Sequence, residues 1–426
     1  MRWLLLFVSA LALDAEVLSL RDAMERTAQT NPEVLAARLR TLEAEAQVGV
    51  ARSAYQPQLN AVIGTAYQTT NLQGIGVIFP GFGGRVGPFR TFNMRPVLTQ
   101  SVVDLKLISG IRAAKESRVA VERQAEAVRE AAQLAVAELY FAALQADSRR
   151  AAAKARVETA RASLEQAKER EAAGSASKLD VARAEQQWHA ERSAEAVLEG
   201  ETAAARARLG RAVGLEESVE PVAADPRMSQ LPLPVEEELI RKGQAMRFEV
   251  RAAESRVKVA EFETDRARRE RWPTLAAVGD YGLLGAGPDQ ALSTYQVGAT
   301  VSIPIWTGGR VEAEVRAGKA RRQVAEQEAR AARLRVVEQV RTGMAEWKAA
   351  EESRREWERG RAAARESLEL ARMRFEGGLA TNLDVVAAQG QLAQAEDAEI
   401  RARYDALIAR ARLAYAGGEV SGVWNR

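Results

Sequence analysis

Cysteine is absent from the 426 residues, and histidine occurs once, as His189. The first absence removes thiol nucleophiles, disulfide frameworks and cysteine-ligated zinc. The second removes the usual histidine-rich metal centres and any ready serine–histidine mechanism. Aromatic residues make up only 5% of the chain, so its 47% of hydrophobic residues is carried mostly by Ala, Val and Leu. Charge of one sign is also missing: 61 Lys and Arg face 58 Asp and Glu, a net charge of +3. No basic block of the kind that binds nucleic acid is present. Long apolar runs are lacking as well. The stretch 3–13, preceded by Arg2, is too short to span a bilayer as a mature helix. With Ala10-Leu11-Ala12 as a small–x–small cleavage site, residues 1–12 read as a secretory signal; a buried N-terminal helix is the alternative. Most enzyme classes are disfavoured, no cofactor or metal is expected, and any membrane crossing must be made by strands.

What is present is one plan written twice. Asn31-Pro32-Glu33-Val34 corresponds to Arg247-Phe248-Glu249-Val250, and Pro57 and Leu59 recur as Pro273 and Leu275, at an offset of 216. Gly174-Ser175-Ala176-Ser177-Lys178-Leu179-Asp180-Val181 matches Gly378-Leu379-Ala380-Thr381-Asn382-Leu383-Asp384-Val385 at an offset of 204. Arg206-Ala207-Arg208-Leu209 recurs as Arg410-Ala411-Arg412-Leu413 at that second offset. The difference of 12 residues belongs to the first copy, where the Gly-rich stretch 72–88 is the natural place for it. That stretch lacks the strand-to-helix setting and Lys of a phosphate loop and reads as a barrel loop. Each copy runs helix, two alternating segments, a very long helix, a Gly break, and a helix of about half that length.

The alternating segments are the most informative part. Tyr295, Val297, Ala299, Val301 and Ile303 share one face, with Gln296, Gly298, Thr300 and Ser302 on the other. Leu59, Ala61, Ile63 and Tyr67 oppose Gln58, Asn60, Gly64 and Gln68, and Leu275, Ala277, Tyr281 and Leu283 oppose Thr274, Asp280 and Gly282. The remaining segment, with Phe92, Met94 and Leu98 against Asn93, Arg95 and Thr99, is less regular and contains Pro96. Alternation fits a soluble sheet with one wet face. Each segment also has the roughly 10 residues of a tilted membrane strand, which the export signal favours. Four strands cannot close a barrel, for which roughly eight is the minimum, so spanning strands require several chains to share one.

The helices point the same way. The Pro-free stretch 107–173 would reach roughly 100 Å at the α-helical rise, against about 55–60 Å for a compact globule of this length. Leu134, Ala137, Phe141 and Leu144 are mirrored by Val337, Val340, Met344 and Trp347, a coiled-coil seam.

This combination resembles the TolC-type outer membrane efflux protein family. The segment 18–34, both hairpins and the two Gly-x-Ala-x-x-Leu-Asp-Val turns carry the resemblance, and the duplicated turn is its most specific part. The resemblance implies a mixed α+β fold, mostly α. Four transmembrane strands per subunit would join in a twelve-stranded barrel shared by a homotrimer, continued by a long α-helical periplasmic barrel. It further implies a non-enzymatic exit duct in the outer-membrane lipid. The duct would serve a tripartite efflux pump or type I secretion system, docked on a periplasmic adaptor and an inner-membrane transporter of RND or ABC type. The segments become signal peptide 1–12, periplasmic helices 13–56, first hairpin 57–105, tunnel helices 106–213 and equatorial linker 214–235. The second copy follows as helix 236–272, hairpin 273–306, tunnel helices 307–416 and tail 417–426.

At the tunnel's far end, the resemblance makes Gly174, Ser175 and Ala176, with Gly377, Gly378, Leu379 and Ala380, the tips that meet the adaptor; a plain helix–helix turn is the other reading. Asp384 matches an acidic position of the family's periplasmic aperture, and Asp180 is its repeat partner. A three-fold ring of carboxylates would attract cations, whereas an Asp this soon after a Gly break also suits a helix N-terminus. Asp180 is expected to be a cap, and both roles stay open for Asp384. A second acid found one turn later in some members is Ala387 here, and positions of polar tethers are occupied by Phe375 and Ala380. His189 is expected as a surface or groove residue rather than a ligand, since no second His completes a usual site. The competing reading for the whole chain is a periplasmic adaptor or other coiled-coil scaffold, which would normally carry one helical hairpin between β-rich halves.

Overall fold

A computed structural model describes residues 16–78, 80–81, 84–223 and 235–418. The proposed signal 1–12, most of the tail and the linker prolines Pro226, Pro232 and Pro234 lie outside the described residues. The element order is β1 (Glu16–Leu18), α1 (Leu20–Thr30), α2 (Pro32–Ser53), β2 (Gln58–Asn71), β3 (Arg85–Val103), α3 (Leu105–Ala172), α4 (Lys178–Val213), β4 (Val219–Pro221), α5 (Glu236–Met246), α6 (Phe248–Arg269), β5 (Thr274–Gly285), β6 (Leu292–Ser302), α7 (Arg310–Glu376) and α8 (Asn382–Ala416). The chain is thus mostly helical. It divides into two compact units, Met1–Leu39 with Arg123–Arg251 and Ala331–Arg426, and Arg40–Glu122 with Ala252–Arg330.

The first unit is a helical body closed by a small ribbon. Pro32 follows Asn31, whose side-chain oxygen accepts the backbone N–H groups of Glu33 and Val34 at 2.9 and 3.2 Å. Asn31 thereby caps α2, and Pro at the first helical position costs no hydrogen bond. Gly214 ends α4 at φ +94°, a left-handed conformation, and a side chain there would also collide with the Thr30 carbonyl. Within the segment expected as an equatorial linker, Val219–Pro221 forms β4, which pairs in parallel with β1. Tyr140 of α3 is fully buried, and its hydroxyl donates to the carbonyls of Leu18 and Val222 at 3.1 and 2.7 Å. It meets Phe141 edge-on at 6.2 Å, amid Met24, Val136, Leu209, Val213 and Tyr404.

Of the first expected seam, Ala137, Phe141 and Leu144 are buried and Leu134 packs at their margin. The second seam is displaced by one residue at its start. Val336, Val340 and Met344 are buried, while Val337 and Trp347 are half-buried. The cause is α5: Gly243 offers no side chain, and a Cβ there would stand 2.8 Å from Val336 Cγ1. Val336 fills that hollow instead of leaving the contact to Val337.

The second unit carries one open antiparallel sheet in the order β2-β3-β5-β6. The register aligns Leu59 with Leu98, Ile63 with Met94, Met94 with Leu283, Gly279 with Val297 and Tyr281 with Tyr295. All the large residues in this set lie on one face and are exposed; Val297 is 79% exposed. The opposite face is mostly polar, with Gln58, Asn60, Asn93, Arg95, Thr99, Asp280 and Gln296. There Arg95 donates to Asp280 at 2.7 Å, and both side chains are largely buried. The irregular segment around Pro96 is nonetheless a 19-residue strand. Proline lacks an N–H, and the β3–β5 ladder passes from Met94 to Val97 without pairing Arg95 or Pro96.

At that gap the strands close on Gly282, where a Cβ would stand 2.6 Å from Arg95 Cα and nearer still to the Met94 carbonyl. Gly279 has far more room, with Gln296 O at 4.0 Å its nearest neighbour. Gly282→Ala should therefore destabilise the β3–β5 junction by about 1–3 kcal/mol, whereas Gly279→Ala should not. Unfolding midpoints in detergent, followed by the β-sheet circular dichroism, check the pair; equal midpoints would refute the packing assignment.

Candidate functional site

The two Gly breaks build the same turn from the same parts. In the first, the N–H groups of Gly174 and Ser175 donate to the carbonyls of Glu171 and Arg170 at 2.9 and 2.8 Å. In the second, Gly378 and Leu379 donate to Phe375 and Arg374 at 3.1 and 2.8 Å. Both are Schellman closures of a long helix. Gly174 and Gly378 have φ of +76° and +72°, and a Cβ at either would meet nothing within 4 Å. The requirement for glycine is therefore conformational rather than spatial.

Each turn restarts a helix with a capping box. The backbone N–H and hydroxyl of Ser177 donate to the Asp180 carboxylate at 3.0 and 2.7 Å. Those of Thr381 donate to Asp384, both at 2.8 Å. These bonds favour the ionised carboxylates. The Ser177 hydroxyl, then its N–H, holds the Asp180 pKa below the ordinary value, and Asn382 of the other turn adds to the effect. The Thr381 N–H, then its hydroxyl, does the same for Asp384, with Arg374 nearby. Both aspartates thus act as caps in this geometry.

Asn382 at Asp180 brings the two turns side by side, and Arg170 lies over the Phe375 ring at 5.4 Å from its centroid. Phe375 also packs against Leu368, Val385 and Ala388. Ser175, Gly377 and Leu379 are exposed, and Ala176 and Ala380 half-buried. Leu179, Leu379 and Leu383 leave 58%, 74% and 56% of their surfaces open, a concentration of apolar surface at the ends of two helical hairpins. Sequence reasoning missed the Arg170–Phe375 contact, which joins residues 205 apart (375 less 170). It also missed the caps' partners, although Ser-x-x-Asp and Thr-x-x-Asp are legible spacings. Further along the same helices, α3, α4, α7 and α8 line an open cleft of about 700 Å³, in which Arg156, Glu191, Arg361 and Arg403 lie among Leu368 and Leu392. His189 is exposed, its ring 4.8 Å from that of Trp188. Among the described residues, no group of three His, Asp or Glu is arranged to hold a metal, and no helix is long and apolar enough to cross a membrane.

Duplicated long and short helices, paired capped turns and an amphipathic hairpin pair together define one class of internally duplicated, mostly helical fold. The chain belongs to the outer membrane efflux protein family, whose model matches residues 23–215 and 239–419. It is similar to the outer membrane protein TolC of Vibrio cholerae, with 26% identity over 72% of each chain. It is also similar to the outer membrane efflux protein BepC of Brucella suis, with 25% identity over 95% of this chain and 86% of that one. In fold it is similar to the outer membrane protein VceC of Vibrio cholerae, with a TM-score of 0.77, 18% identity, and 94% and 96% of the two chains covered. Membership of that family places the protein in the outer membrane and in efflux.

Both caps have a measurable weight. Ser177→Ala and Thr381→Ala should each weaken the first turn of the following helix by about 1 kcal/mol, seen as faster amide exchange over 178–182 and 382–386. Because both aspartate pKa values are lowered on folding, their contribution is complete above the ordinary carboxylate value and is lost as pH falls through the depressed one. Exchange unaffected by either substitution would remove the capping assignment.

Proposed function

We propose that three copies of this chain assemble into the exit duct of a tripartite efflux pump or type I secretion system. The observation carrying this reading is a four-stranded sheet with one apolar exposed face, one polar face, and β2 and β6 unpaired at its edges. In lipid such edges must be paired. Edge-to-edge association of three sheets gives twelve strands, enough for closure, with Leu59, Ile63, Tyr281 and Val297 toward lipid and Arg95 and Asp280 toward the lumen. Trp272 and Trp306, exposed just before β5 and just after β6, suit the aromatic girdle at a membrane–water boundary.

The helical turns then form the periplasmic end. Leu179, Leu379 and Leu383, with the small residues Gly174, Ser175, Ala176, Gly377, Gly378 and Ala380, offer an apolar, low-relief tip for the helical hairpin of a periplasmic adaptor, itself bound to an inner-membrane transporter of RND or ABC type. Asp384, repeated three times, makes a ring that draws cations, with Asp180 beside it. The capping bonds that occupy Asp384 also keep it ionised, so the two roles support one another. Arg170 on Phe375 links the two tips of one subunit where other members use polar tethers. The duct performs no chemistry; it supplies a path.

Detergent-extracted protein should run as a trimer and conduct ions in a planar bilayer. Asp384→Asn should lower cation preference, read as a reversal potential shifted toward zero in a salt gradient. Phe375→Ala should raise single-channel conductance by loosening the tip. A non-conducting monomer would favour a scaffold instead, and an unchanged reversal potential would leave Asp384 as a cap alone.

A further inference from the structure

The duplication writes one cluster of cations twice in the second unit, and one version carries an anion that the other lacks. Arg112, Lys115 and Arg118 of α3 recur at the 204 offset as Arg316, Lys319 and Arg322 of α7. Glu45 and Arg52 of α2 recur at the 216 offset as Glu261 and Arg268 of α6. Each set lines a cleft, and at three of the matched lining positions the copies differ: Val48, Gly49 and Val119 become Thr264, Asp265 and Gln323. In the second copy the Asp265 carboxylate accepts from Arg268 at 3.3 Å, Arg322 pairs with Glu326 at 3.3 Å, and the cleft is about 390 Å³. In the first copy it is about 700 Å³. Gly49 is exposed within α2, and a Cβ there would meet nothing within 4 Å. Two of the charged groups around it are engaged: Arg118 with Glu122 at 3.6 Å, and Glu116 with the Ser255 hydroxyl at 2.9 Å. Among the described residues, the side chains of Arg52, Arg112 and Lys115 make no ion pair. Buried Val48 and half-buried Val119 and Phe262 supply an apolar wall.

We propose that the first-copy cleft binds a phosphate monoester, whose phosphoryl group does there what the Asp265 carboxylate does in the second copy. Asp265 is the chain's own example of an oxyanion beside this cation set, held by the equivalent of Arg52. Where glycine removes that carboxylate, three cations are left without a counter-charge around one opening. Two guanidinium groups present paired N–H donors to phosphoryl oxygens, and Lys115 adds a point charge. Three such groups match the three outer oxygens of a monoester better than the two of a carboxylate. The cleft is of the size that holds a small organic molecule rather than a bare ion, and Val48, Val119 and Phe262 face the carbon part of it. The same phosphate chemistry is carried by a soluble sugar or glycerol ester and by a lipid headgroup. Both sources can reach this place, because α2 leads into β2 and α3 leaves β3, which puts the cleft at the strand-bearing end of these helices.

Two probes test the site on the full-length protein: glycerol 3-phosphate, titrated calorimetrically in detergent, and phosphatidic acid, scored by native mass spectrometry after extraction from phosphatidylcholine nanodiscs. At least one should bind at one site per chain. Gly49→Asp, which supplies the carboxylate of the second copy, should weaken that binding roughly tenfold or more, and Arg112→Gln should weaken it as well. Gly49→Ala takes up space without adding charge and should bind as the native chain does. Binding of glycerol 3-phosphate assigns a soluble ester, and retention of phosphatidic acid alone assigns a lipid; either supports the site. Binding of neither probe overturns the proposal. So does binding that Gly49→Asp leaves unchanged, or a loss in Gly49→Ala equal to that in Gly49→Asp. Conductance and trimer formation are separate readouts, so failure here leaves the exit-duct reading standing.

Discussion

The outward-facing backbone amides and carbonyls of β2 and β6 have no partners in an isolated sheet, and in hydrocarbon each such group carries a cost of several kcal/mol. Much else in the chain is arranged around that constraint. The sheet turns Leu59, Ile63, Tyr281, Tyr295 and Val297 outward from one face and sets the Arg95–Asp280 pair on the other. It is amphipathic in the sense a membrane barrel wall needs, yet too narrow to curl onto itself. Even its interior irregularity fits: Pro96 interrupts the β3–β5 ladder, and Gly282 allows the strands to stay in contact across the break.

The helical portion meets backbone demands by local means. α3 and α7 run 68 and 67 residues and end on left-handed glycines, and each successor starts on a hydroxyl–aspartate box. These devices are short in sequence, so they survive in both copies in nearly the same form. The joints near the middle do not. Asn31 caps a helix with its own amide, whereas Arg247 must import Glu249, Gln339 and Tyr415 to be buried at all. A guanidinium cannot be left unpaired in a dry site, so that substitution drew a cluster of charge into one copy and left the other neutral.

The turns combine two demands at one place. Small residues and glycine permit reversal, and leucines flanking the caps leave apolar surface exposed where a freestanding hairpin would carry polar side chains. Capping explains the aspartates; Leu179, Leu379 and Leu383 are what the proposed docking partner would cover.

The sequence by itself determined the duplicated plan, the four alternating strands, the positions of both reversals and the capping place of Asp180, while for Asp384 it left a cap and an aperture ring both open. Each of these depends on local periodicity or on a residue whose conformation is nearly unique, as glycine's is at Gly174 and Gly378. Tertiary structure alone decided which long-range pairs meet: Arg170 with Phe375, Tyr140 with the carbonyls of Leu18 and Val222, and Arg247 with Gln339. It also decided that Val336, not Val337, fills the hollow at Gly243, and that part of the expected linker becomes β4. Contacts of that kind depend on the geometry of packing between separate helices, and a residue's spacing along its own chain carries no record of it.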